Sequence, residues 1–227
     1  MFKKVILSPF LAPSFFFLWE VIWLLFPVFL SCQTLFPWAE EGGLIDTLTY
    51  FSYGIAFLSL ICTYKFFETK EQRFSYWVFF FMLTCFLLRE MGVQHWLTST
   101  DSTAFKIRFF TNPNNPIHEK IISVGILGTV ALAVLYLAIK YAKSLIQGVF
   151  KADTIAWTIG TFGAVGIIGK IVDRIPGNYR KITKELMADE YRIYFLFFEE
   201  TSEVLLPFFI ALALIQYAIL KKNHLRQ

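Results

Sequence analysis

Six stretches of this chain stay apolar over close to twenty residues, the length a helix needs to cross the hydrocarbon layer of a bilayer. They cover roughly 12–33, 44–66, 75–96, 120–142, 154–173 and 194–220. Polar, turn-forming segments separate them: Pro37 to Gly43, Glu68 to Arg73, the Asn-Pro-Asn-Asn-Pro run at 112–116, and Arg174 to Arg192. The pattern predicts an all-α, polytopic integral membrane helical bundle of about six transmembrane helices, forming a single domain over 1–227. Within the last polar segment, Ile182, Leu186 and Tyr191 recur at helical spacing among Lys181, Lys184, Glu185, Asp189 and Glu190. This predicts a short interfacial helix at about 179–191 before the last span, with Gly177 and Asn178 as its turn and N-cap. A solvated connecting helix is the alternative reading.

Composition removes the soluble alternative. Of 227 residues, 56% are apolar, 19% aromatic and only 17% charged, with a mean hydropathy of +0.57, whereas soluble domains carry about a quarter charged residues. A net charge of +4 without a basic run argues against nucleic-acid binding. Cys32, Cys62 and Cys85 lie in or beside different apolar runs and read as small buried hydrophobes. Met-Phe-Lys-Lys at the start suits a signal peptide. The apolar stretch outruns the usual length and no A-x-A site follows, so the segment is expected to remain as the first span.

Lys and Arg fall almost equally on the two faces of such a bundle. One face takes eleven, namely Lys3, Lys4, Lys65, Lys70, Arg73, Lys140, Lys143, Lys151, Lys221, Lys222 and Arg226; the other takes the remaining ten. The first connecting loop breaks the tie, because Thr34 to Gly43 holds no Lys or Arg but carries Glu40 and Glu41. By the positive-inside rule both termini are expected in the cytoplasm, in a plasma or inner membrane.

Ionisable side chains inside spans are costly unless they face the bundle interior or one another, so they point to the working face. Most gather at one depth. Arg89, Glu90, Gln94 and His95 close the third expected span, Lys170, Asp173 and Arg174 close the fifth, and Glu199, Glu200 and Glu203 open the sixth. The third loop adds Asp101, Lys106, Arg108, His118, Glu119 and Lys120 to that face, and Glu20 sits near mid-depth of the first span. The densest motif is Phe-Phe-Glu199-Glu200-Thr-Ser-Glu203. On a helix, Glu199 and Glu203 lie one turn apart, and all three carboxylates fit within an arc of about 100°. Three carboxylates so close must share protons, pair with cations or hold a metal, and Arg89, Lys170, Arg174 and Arg192 are available as partners.

Other chemistry is thinner. Glu90, Glu199, Glu200, Glu203 and Asp173 could hold a hard divalent metal such as Mg²⁺ or Mn²⁺, whereas His95, His118 and His224 are too scattered for zinc. Thr98, Ser99, Thr100, Ser102 and Thr103 crowd the third loop beside Asp101, and Ser202 sits among the glutamates, without a nucleophile elbow or a Ser-Lys motif. Gly160, Gly163, Gly166 and Gly169 form a small-residue strip in the fifth span that lets a helix or a lipid tail approach the backbone. Gly125 and Gly128 are its expected packing partner.

Three function classes follow. The first is an enzyme acting on a lipid or lipid-linked anionic substrate, with Glu90, Glu199, Glu200, Glu203, Asp173 and His95 as the acid–base set and Arg89, Lys106, Arg108, Lys170 and Arg174 holding the head group. The second is an ion- or proton-coupled carrier whose glutamates change protonation. The third is an assembly subunit whose charge network specifies helix pairing.

Overall fold

Helices make up 84% of the computed structural model, and the described residues contain no strand. It describes residues 2–40, 42–99 and 103–224; the expectations placed on Glu41, Thr100, Asp101, Ser102 and Arg226, and on the side chain of His224, lie outside the described residues. The elements are α1 (Phe2–Ile6), α2 (Leu11–Phe29), α3 (Cys32–Ala39), α4 (Leu44–Thr63) with a 3-10 turn at Tyr64–Phe66, α5 (Lys70–Glu90), α6 (Val93–Trp96), α7 (Ile107–Thr111), α8 (Ile117–Phe150), α9 (Thr154–Thr183) and α10 (Asp189–His224).

Among the described residues, five segments are long and apolar enough to cross a membrane: Leu11–Phe29, Cys32–Phe66, Ile117–Phe150, Thr154–Thr183 and Asp189–Asn223. The third expected span, now α5, falls short because Lys70, Glu71 and Arg73 occupy its first turn and Arg89 and Glu90 its last. Phe17, Phe51 and Ile139 are 71%, 69% and 76% exposed. Large apolar side chains left this open in many places suit contact with lipid rather than water. The chain is a polytopic helical membrane bundle.

Two expectations fail at the polar punctuation. No separate interfacial helix occupies 179–191, and Asn178 is not a cap. Pro176, Gly177 and Asn178 lie within α9, which runs 30 residues to Thr183. It ends where Lys184 takes a left-handed conformation (φ 64°), with the Glu185 amide donating to Thr183 Oγ1 at 3.2 Å. At 1.5 Å per residue α9 is about 45 Å long, well beyond a hydrocarbon core of about 30 Å. Its charged end can therefore stand in water as helix without turning along the surface. Proline removes only one ladder bond there, a loss that the long helix tolerates. The second failure is the third span, which breaks after Glu90. Gly92 sits at φ +70°, a conformation that favours glycine, so Gln94 and His95 belong to the separate turn α6.

Contacts divide the chain into two units, residues 1–66 with 144–227, and residues 67–143. In the first, α10 is the hub, packed against α9, α4, α2 and α3. Its core holds Trp23, Leu35, Ala39, Ile45, Ile193, Phe197 and Val204 in one cluster and Ala12, Val165, Leu205, Phe209 and Leu212 in another. Asp153 caps α9 by accepting from the Ala156 amide at 2.8 Å. Gly148 is required just before this turn, because a Cβ there would lie 2.6 Å from that of Ala156. In the second unit, α5 starts with a reciprocal capping box between Thr69 and Gln72.

Candidate functional site

The sequence offered three carboxylates on one stripe of α10, and the structure gives two of them a shared cation. Lys170 Nζ on α9 lies 3.3 Å from Glu199 Oε1 and 3.1 Å from Glu203 Oε1. The i, i+4 spacing of the two glutamates places both carboxylates within reach of one ammonium. The Lys170 side chain remains 46% exposed while those of Glu199 and Glu203 are 18% and 17% exposed, so the triad opens to the surface through the lysine. Asp173, exposed three residues further along α9, is near enough to repel Glu199 electrostatically. Arg174 lies one turn beyond Lys170 and is exposed, with no ion-pair partner among the described residues. Glu200 is half-buried on the same turn and makes further contacts of its own. The fourth expected partner, Arg192, goes elsewhere: its Nη1 lies 3.9 Å from Asp189 Oδ1 and its guanidinium stacks 5.6 Å from the Phe36 ring.

A second polar cluster meets the same turn of α10; the sequence shows Glu20 and Ser202 but not that they come together. Glu20 on α2 is only 4% exposed. Thr201 Oγ1 lies 3.0 Å from its Oε2, and Ser202 Oγ lies 3.3 Å from its Oε1. No Lys, Arg or His pairs with Glu20 among the described residues. Trp19 Nε1 donates to the Thr201 carbonyl at 3.1 Å, tying the same two helices once more. Thr201 also lies 2.6 Å from the Phe197 carbonyl and 3.5 Å from that of Phe198, so its one hydroxyl proton is shared chiefly between Glu20 and Phe197. Ser202 belongs to this buried pair rather than to a nucleophile dyad. Nearer the other end of α10, Gln216 is fully buried, accepting from Thr158 Oγ1 at 2.8 Å and donating to the Ile6 carbonyl at 3.0 Å.

The remaining candidates belong to the second unit. Arg89 Nη1 lies 3.9 Å from Glu90 Oε1. His95, Lys106 and Arg108 are exposed there, as is His118. Lys120 Nζ donates to the Asn112 carbonyl at 2.7 Å, closing the Asn-Pro loop. Glu119 is buried with Ser99's amide donating to Oε1 at 3.1 Å, while Glu119 Oε2 and, one turn on, Ser123 Oγ make no hydrogen bond among the described residues.

Among the described residues, no three His, Cys, Asp or Glu side chains gather in a group able to hold a metal; Glu199 and Glu203 face a lysine instead. The glycine strip winds around α9 rather than lining one face, as its three-residue spacing turns it by about 60° per step. A Cβ at Gly166 would touch Leu206 and one at Gly169 would touch Ser202, each at 3.8 Å on α10. Gly160 faces Val149 at 3.7 Å and helps line a mostly apolar groove with Pro13, Phe16 and Trp157, whereas Gly163, Gly125 and Gly128 meet open space among the described residues. Compared with protein-family models, curated proteins and solved structures, the chain matches none.

Proposed function

We propose that this chain is a membrane enzyme that takes the polar head of a lipid or lipid-linked anionic substrate at the α9–α10 surface, with Glu199 and Glu203 moving protons. What carries the reading is the open triad, in which Lys170 fixes two carboxylates at 3.3 and 3.1 Å yet stays 46% exposed. With Lys170 committed to the glutamates, Arg174, which has no ion-pair partner among the described residues, offers a cation for an anionic group one turn further on the same stripe of α9. A carboxylate held by an ammonium is positioned to accept a proton from a bound hydroxyl and return it, which is general acid–base work.

A carrier would need ionisable groups continuing through the bundle. From Glu203 to Gln216, about 20 Å of α10 has none, and the buried Leu205, Phe209 and Leu212 fill it. The second reading is a charge clamp between α9 and α10, favoured by the fact that Lys170 satisfies both carboxylates at once.

The two readings part on Glu199→Gln and Glu203→Gln, measured as detergent melting temperature and as turnover of lipids in vesicles of phosphatidylethanolamine, phosphatidylglycerol and polyprenyl phosphate. The enzyme reading expects at least one variant to melt like the wild type and lose turnover tenfold or more. No turnover of any of these lipids by the wild type, or normal turnover in both stable variants, rejects it.

A further inference from the structure

We infer that the chain holds an anionic phospholipid in a second place, a groove between α4 and α10, independent of the site above. The groove is open along one side and offers about 470 Å³, a volume within the range of ordinary ligand sites. Its walls are two matching helical stripes. Ile55, Leu58, Ser59 and Cys62 lie on one face of α4 at i, i+3, i+4 and i+7, and Ile215, Ala218, Ile219 and Lys222 repeat that spacing on α10. The α4 stripe is extended by Thr63, Lys65 and Phe66, so each wall ends in a lysine. Tyr217 on α10 donates its hydroxyl to the Phe66 carbonyl at 3.2 Å, which fixes the turn that presents Lys65.

Charge identifies the occupant. Lys65 and Lys222 are exposed, and neither has an ion-pair partner among the described residues; Lys65 Nζ rests 5.3 Å from the Phe66 ring. Lys3, hydrogen-bonded to Asn223, adds a third positive group at the same end of α10. An apolar trough closed by two unpaired ammonium groups is complementary to a molecule with an acyl chain and an anionic phosphate, and basic pockets between membrane helices recognise such head groups. A neutral or zwitterionic lipid would fill the trough but leave the lysines without net compensation.

The test is native mass spectrometry of the full chain in detergent, titrated with dioleoyl phosphatidylglycerol and, separately, dioleoyl phosphatidylcholine. The wild type should bind phosphatidylglycerol at least tenfold more tightly. Lys65→Gln with Lys222→Gln should bring the two lipids to within twofold of each other by weakening phosphatidylglycerol alone, and each single substitution should give about half of that change on a logarithmic scale. Ile219→Trp, which fills the trough and keeps both lysines, should weaken both lipids at least fivefold. Millimolar inorganic phosphate should displace neither, since the chain as well as the head is held. Equal binding of the two lipids by the wild type, unchanged selectivity in the lysine variants, or unchanged binding in Ile219→Trp overturns the inference. Lys65→Gln with Lys222→Gln should leave any lipid turnover at the α9–α10 surface unchanged, so failure of the α9–α10 reading and failure of this one are seen separately.

Discussion

Within five residues of α10, carboxyl groups are accommodated in two opposite ways. Glu199 and Glu203 keep a fifth to a sixth of their side-chain surface open and share an ammonium. Glu20, from α2, is 4% exposed and is held by two neutral hydroxyls, with no cation among the described residues. The first arrangement trades attraction against a modest loss of hydration, since Lys170 still reaches solvent. The second relies entirely on hydrogen bonds in a low-dielectric interior, where each bond is strong and each missing one is expensive. The half-exposed cluster is thus suited to exchange its partners, and the buried one to hold two helices at fixed register.

The largest effect is expected where replacement is hardest. Thr201→Val preserves shape but removes the hydroxyl facing Glu20, leaving Oε2 buried with nothing to bond. Stranding a buried polar atom costs about 1–3 kcal/mol, with the membrane value near the lower end. Thr201→Ser, which keeps the hydroxyl, should stay close to wild type. Thermal unfolding in detergent, followed by tryptophan fluorescence, reports directly because Trp19 bonds to the Thr201 carbonyl. Equal melting of the valine and serine variants would remove the contrast between the two clusters.

Lys170→Met comes next. Removing one member of a fully buried pair costs about 3–5 kcal/mol, but a lysine 46% exposed warrants the surface figure of about 1 kcal/mol or less. Adding Glu199→Gln and Glu203→Gln to Lys170→Met should recover most of that loss, since no unpaired charge then remains. A cycle comparing the single, double and triple variants isolates the coupling. A loss of several kcal/mol in Lys170→Met would mean that the triad is a structural clamp, turning the half-exposed cluster into a second buried one.

Part of this arrangement was legible in the sequence and part was not, for definite reasons. That the glutamates need a cation followed from local geometry, because Glu199 and Glu203 must share a helix face, but Lys170 was one of four available partners beside Arg89, Arg174 and Arg192. Glu20 was visible as a mid-span charge, but its partners are 181 and 182 residues away, and Ser202 stood out only as a hydroxyl among the glutamates. Gln216, Thr158 and the Ile6 carbonyl were hidden likewise, since a single amide in an apolar run carries no period. Pro176-Gly177-Asn178 has turn composition yet lies inside α9, where the cooperativity of a long helix overrides local preference. The apolar pattern running past Glu90 gave no sign that Gly92 ends the helix through a left-handed turn.

The smallest effect should come from Glu20→Gln, and its smallness is informative. A glutamate in this place must satisfy Ser202 at Oε1 and Thr201 at Oε2, while Thr201 has a single proton to divide between Glu20 and the Phe197 carbonyl 2.6 Å away. Glutamine offers one acceptor and two donor hydrogens in the same volume. Its carbonyl can accept from Ser202 while its amide donates to Thr201, which frees the Thr201 proton for Phe197, so both hydroxyls and the Phe197 carbonyl keep a partner. Stability should therefore change by no more than about 0.5 kcal/mol, the level of an unremarkable substitution, in contrast with Thr201→Val on the other side of the same contact. If Glu20→Gln instead melts as low as Thr201→Val, the site requires the carboxyl itself and not merely a side chain that bonds both hydroxyls. The buried cluster would then belong with the chemistry of the open one rather than with the packing of α2 against α10.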